Sequence, residues 1–207
     1  MDTLTLRGAL KAHTGALHER LEAGLDLTGP HLDRERYAAM MARFHGFYAA
    51  LEPALLEAAW PDHGVVYAER LKTPALRRDL AAFGTTPDAV DQLPVCEALP
   101  RVDTPARRLG CMYVLEGSTL GGQFLSRHFA TALGLTPETG CAFFSGYGPA
   151  TGPRWAAFVK LLDALDSPDT RAEALEAALE TFEKLEAWMV GSPGAAVPQA
   201  ATAVEAG

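Results

Sequence analysis

The segment Leu4-Thr5-Leu6-Arg7-Gly8-Ala9-Leu10-Lys11-Ala12-His13-Thr14-Gly15-Ala16-Leu17-His18-Glu19-Arg20-Leu21-Glu22-Ala23-Gly24-Leu25 sets the reading of the whole chain. Leu6, Leu10, Leu17 and Leu21 recur at helical spacing, which predicts one amphipathic helix with a leucine face turned to a core. Each helical residue turns about 100°. Lys11, Thr14, His18 and Glu22 therefore form a second stripe flanking the leucines, and His18 stands at the boundary between core and cleft. Lys11 lies two turns upstream, about 10 Å along the axis. An imidazole and an ammonium at that separation suit a haem, one meeting the iron and the other a propionate. A solvated helix face carries the same residue types, so the stripe alone leaves both readings open. His13 is expected to point into the leucine face as a core histidine. His31, His45, His63 and His128 have no partner spacing that singles them out.

Working outward, Gly29-Pro30 ends the first helical pattern. A second helix is predicted over 33–59, where Pro53 is a potential kink. Residues 60–64 read as a loop, 74–83 and 87–92 as short helices, and 93–103 as an irregular connection. Thr104-Pro105 is a good cap and first-position pair for a long helix reaching about Leu133. The glycines and prolines of 136–153 predict a loop with at most one helical turn. Helices follow over 155–165 and 169–190. No repeats and no strand pattern are visible. The expected fold is all-α, roughly six to eight helices in one domain over residues 1–190. Residues 191–207 are small, polar and Ala/Pro-rich, and are expected to be a flexible tail.

Composition excludes several classes. Apolar residues at 48% and charged residues at 21% indicate a packed interior rather than a disordered chain. The net charge of -8 and the lack of a basic cluster argue against a nucleic-acid partner. Cys96, Cys111 and Cys141 are far apart and odd in number, so neither a disulfide framework nor a zinc site is expected. No signal peptide and no run of about 18 apolar residues is present, so the expectation is a cytoplasmic protein without a membrane partner.

A second stretch carries chemistry. Tyr113-Val114-Leu115-Glu116-Gly117-Ser118-Thr119-Leu120-Gly121-Gly122-Gln123 lies in the middle of the long helix. Each glycine there costs roughly 1 kcal/mol relative to alanine. A helix with that burden bends, or lets a flat object approach its backbone. A helix crossing that needs small residues accounts for the glycines equally well.

Together the two stretches resemble the haem oxygenase family, across most of the chain. Lys11-x-x-Thr14-x-x-x-His18-x-x-x-Glu22 looks like the family's proximal helix, Gly117 to Gln123 like its distal helix, and Tyr48-Ala-Ala-Leu51-Glu52 like its second helix. The resemblance implies a single-domain helical bundle with haem between a proximal N-terminal helix and a kinked, glycine-rich distal helix. It implies His18 as the iron ligand, with Lys11, Thr14, Glu22, Tyr113 and Phe182 around the haem. Gly117, Ser118, Gly121 and Gly122 would form the catalytic distal face. Four positions depart from the family pattern. Ser118 stands where the family has a distal aspartate, and Leu120 where it has a serine. Met112 stands where it has a propionate-binding tyrosine, with Tyr113 one residue off. Val159 stands where it has a late arginine, so Arg154 or Lys160 would substitute.

The activity implied is oxidative opening of haem b to biliverdin with release of iron and carbon monoxide. Dioxygen is consumed, and electrons come from an external reductase or ferredoxin. Tyr113 to Gly122 is similar to the bacterial subgroup that makes bilin chromophore, which implies a bacteriophytochrome as acceptor. Two alternatives stand beside this: a non-catalytic haem carrier or sensor of the same fold, which the loss of the distal aspartate favours, and a haem-free helical protein that binds another small molecule.

Overall fold

Five helix starts are written into the sequence as caps. The side chains of Thr5, Asp33, Thr86, Thr104 and Ser167 accept hydrogen bonds from backbone N–H groups of the first turns that follow them. The computed structural model describes residues 5–58, 60 and 66–191. His63, most of the expected 60–64 loop, and residues 192–207 of the expected tail lie outside the described residues.

Within the described residues the chain forms eight α-helices and two 3₁₀ turns, with no strand. They are α1 (Leu6–Leu25), α2 (Arg34–Glu57), a 3₁₀ turn (Tyr67–Arg70), α3 (Thr73–Ala82), α4 (Pro87–Asp91), α5 (Pro105–Leu133), α6 (Ala142–Ser145), a second 3₁₀ turn (Gly148–Ala150), α7 (Thr151–Asp163) and α8 (Pro168–Val190). The all-α expectation holds, and most boundaries fall within a residue or two of those predicted. The N-terminus of α7 is the exception, since Gly152 and Pro153 belong to its first turn rather than to the preceding loop. Proline is tolerated there because the first-turn N–H has no intrahelical partner to lose. Pro53 sits inside α2 without ending it, and α5 runs uninterrupted through Gly117, Gly121 and Gly122 to its left-handed C-cap at Gly134.

The buried apolar side chains of these helices form one cluster. α8 is the central partner, packing along both α5 and α1, while α7 also touches α1 and α5. The crossing of α5 with α8 is close. A Cβ on Gly110 would lie 2.0 Å from the carbonyl oxygen of Ala174, so no larger residue fits without separating the helices. On α1 the buried face comprises Leu6, Leu10, Thr14, Leu17 and Leu21. His13, expected in the core, is exposed. The buried face is centred toward Thr14, and His13 lies on the opposite flank of the leucines.

Candidate functional site

His18 leaves the edge of the leucine face with its side chain 54% exposed. Its Nδ1 lies 3.4 Å from the Glu22 carboxylate one turn on. Its ring meets Phe182 of α8 edge-on, centroids 5.9 Å apart, and Phe182 is itself buried. The imidazole thus has Nδ1 beside a carboxylate and one edge on Phe182, which leaves Nε2 as the ring atom available to a ligand or metal. Thr14 turns inward. Its Oγ1 donates to the Leu10 carbonyl at 2.8 Å, and Tyr113 of α5 lies beside it. Lys11 is exposed on the same flank as His18.

Across from α1, the glycines of α5 separate into two kinds. A Cβ on Gly122 would fall 2.7 Å from the Phe144 carbonyl oxygen, so this glycine serves the crossing with α6. A Cβ on Gly121 would meet nothing within 4 Å, and one on Gly117 would meet only the indole of Trp155 at 3.7 Å. Packing does not demand glycine at Gly117 or Gly121. These two leave bare helix backbone on a face where Gly121 and Ser118 are exposed, flanked by exposed Leu120 and Phe124. Of these three glycines, the crossing explanation applies to Gly122 alone. The Trp155 ring also packs on Tyr113, centroids 5.9 Å apart, and closes the α7 side.

Ser118 is tied locally. Its Oγ donates to the Leu115 carbonyl at 2.8 Å, and Tyr48, a fully buried α2 residue, lies behind it. Of the two late cations, Arg154 is engaged: Nη1 donates to the Glu69 carbonyl at 2.8 Å, and the guanidinium stacks over Tyr147 at 4.6 Å. Lys160 is exposed in the last turn of α7. The remaining described histidines stand apart. His31 is exposed. His45 is buried on α2 with neither ring nitrogen partnered, and burial pushes its pKa down.

A buried ionic cluster behind Gly117 has no counterpart in the sequence reading. Glu116, 2% exposed, accepts from Arg70 Nη1 at 2.5 Å and from the Tyr147 hydroxyl at 2.7 Å. Lys72 Nζ lies 3.5 Å from the same carboxylate and donates to Tyr147 at 2.5 Å. Glu52 accepts from the backbone N–H groups of Lys72 at 2.6 Å and Thr73 at 3.2 Å. Two carboxylates thus face two cations. Burial pushes the Lys72 pKa down against the pull of Glu116, and pushes that of Glu52 up against its two N–H donors. The signal available in sequence is a carboxylate four residues after Met112 and three before Thr119, on the buried register of α5.

Comparison with known proteins gives one answer. The profile of the family described as Heme oxygenase matches residues 4–190. A heme oxygenase of Xanthomonas campestris pv. campestris is 31% identical over 154 residues, covering 73% of this chain and 87% of that protein. Heme oxygenase PigA of Pseudomonas aeruginosa is 30% identical over 173 residues, covering 83% and 84%. Among solved structures, the NO- and CO-bound heme oxygenase of Neisseria meningitidis superposes with a TM-score of 0.74 at 25% identity, covering 95% of this chain and 98% of that one.

Proposed function

The chain belongs to the haem oxygenase family and degrades haem to biliverdin; on that premise we propose that His18 is its iron ligand and that the Gly117–Gly121 backbone forms the opposing face. The observation that carries the assignment is the His18 ring itself, with Nδ1 3.4 Å from Glu22, one edge against Phe182 and Nε2 left over.

Bound haem supplies the iron at which dioxygen is activated and the meso carbon that is oxidised, with iron and carbon monoxide released alongside the bilin. The chain's own residues do the rest. Glu22 fixes the tautomer of neutral His18 by accepting from Nδ1–H. Thr14 and Tyr113 stand side by side between the two faces. Gly117 and Gly121 admit the macrocycle, and Gly122 keeps α5 seated on α6. Ser118 presents a hydroxyl that holds water and passes protons on the distal side, the task a carboxylate would otherwise perform. Lys11 and Lys160 meet the propionates. Arg154 would first have to leave Glu69.

Residues 1–190 act as the haem-binding domain. Electrons come from an external reductase or ferredoxin, and the bilin passes to a bacteriophytochrome. We place the protein in the cytoplasm, since its three free, buried thiols suit a reducing compartment; among the described residues no helix is long and apolar enough to cross a membrane.

The test is a haemin titration followed by turnover. The protein should take up one equivalent of haemin with a Soret band. On addition of ascorbate or reductase under air, with catalase present, it should lose that band and gain bilin absorption. A complex that keeps its Soret band under those conditions is a carrier, contrary to this reading.

A further inference from the structure

We propose that Arg7 is a second propionate-binding residue on α1, which works with Lys11 to grip the carboxylate edge of haem and so helps set the orientation of the ring. The inference rests on the haem reading above and goes beyond it to a residue that no sequence motif selects.

Register is the first argument. Arg7 precedes His18 by eleven residues, and eleven residues turn about 1100°, within about 20° of three full turns. Lys11 precedes His18 by seven residues and falls within about 20° of the same line. Arg7, Lys11 and His18 therefore share one line along α1, the two cations a single turn apart and both on the N-terminal side of the imidazole.

Availability is the second. Arg7 and Lys11 are both exposed, and among the described residues neither has an ion pair or a hydrogen bond from its side chain. Three other arginines are paired. Arg20, on the same helix, is bound by Glu186, Arg154 by Glu69, and Arg107 by Glu176 and Glu180. Two unpaired cations on the line of His18 draw in a dianion.

Direction is the third. The Arg7 charge acts on Tyr113 of α5, where it favours the phenolate against the burial that pushes the tyrosine pKa up. Arg7 precedes Thr14 by seven residues and so falls within about 20° of it around α1, on the flank that Thr14 shares with His18. A ligand with two carboxylates on one edge would meet Arg7 and Lys11 together.

The experiment compares haemin with haemin dimethyl ester, which keeps the iron and ring but lacks the carboxylates. Arg7→Ala should raise the haemin Kd about threefold at low salt, as expected for an exposed charge pair, with the ester Kd unchanged. Arg7→Lys should recover part of the loss. Arg78→Ala, an exposed cation on α3, which packs on α2 and α6 rather than α1, should change neither. The ratio of bilin isomers should also broaden in Arg7→Ala. Equal losses for haemin and ester, or no loss for either, would overturn the proposal while the wild-type haemin titration still stood. Failure of the wild-type protein to bind haemin would defeat the functional reading instead.

Discussion

Arg70 Nη1 donates to the Glu116 carboxylate at 2.5 Å in a place where the two side chains are 8% and 3% exposed. With Lys72 and Glu52 the pair forms a charge-balanced cluster that ties α5, at the residue before Gly117, to the Tyr67–Arg70 turn and to Tyr147. Removing one partner leaves an uncompensated charge in low dielectric, at a cost of about 3–5 kcal/mol. Glu116→Gln, which keeps the shape but not the charge, is expected to lower urea-denaturation stability by that order. Glu116→Gln combined with Arg70→Met should be less destabilised than the sum of the two single variants. Additive effects would mean that the pair is not coupled.

The two kinds of glycine on α5 make opposite demands. Gly110→Ala would press a methyl group into the Ala174 carbonyl, and overpacking of that kind costs typically 1–3 kcal/mol or more. Gly121→Ala meets open space and should stabilise the haem-free protein by up to about 1 kcal/mol through helix propensity. The same substitution should weaken haemin binding, and Gly121→Leu should block it. Thermal melts of the haem-free variants, set beside haemin titrations, check both halves. A Gly121→Leu protein with wild-type haemin affinity would remove Gly121 from the site.

Alkaline pH gives a third check. Burial pushes the Cys111 thiol up to about 12 from an ordinary value of 9.0. The folded-state pKa is raised, so its contribution to stability is complete below pH 9 and is lost as pH climbs from 9 to 12. In that window it falls by about 1.4 kcal/mol per pH unit. The stability difference between wild type and Cys111→Ala should therefore shrink with pH above 9 and stay level below it. A difference independent of pH across that window would contradict the buried, protonated thiol.

How much of this was legible in the sequence follows from the range of each interaction. α1 and α5 could be read because caps such as Thr5 and Thr104 and the leucine period are local. His18 and Glu22 could be paired because they lie one turn apart. His13 was misread because periodicity gives the centre of the buried face only to within a residue; the packing of α7 and α8 on α1 decided it. The glycines could not be sorted because Gly122 is claimed by a carbonyl in α6 and Gly121 by nothing, and α6 is not visible from α5 alone. The Glu116 cluster was invisible for the same reason, since Arg70 and Tyr147 lie 46 and 31 residues away in the chain.

The central claim is that His18 is the residue through which the chain holds iron. Its most direct test is the electronic spectrum of the ferric haemin complex of His18→Ala, recorded beside wild type and His13→Ala. The expected result is loss of the histidine-ligated spectrum in His18→Ala alone, with imidazole added to the solution restoring it by filling the vacated position. An unaltered spectrum in His18→Ala would place the iron ligand elsewhere and contradict the account.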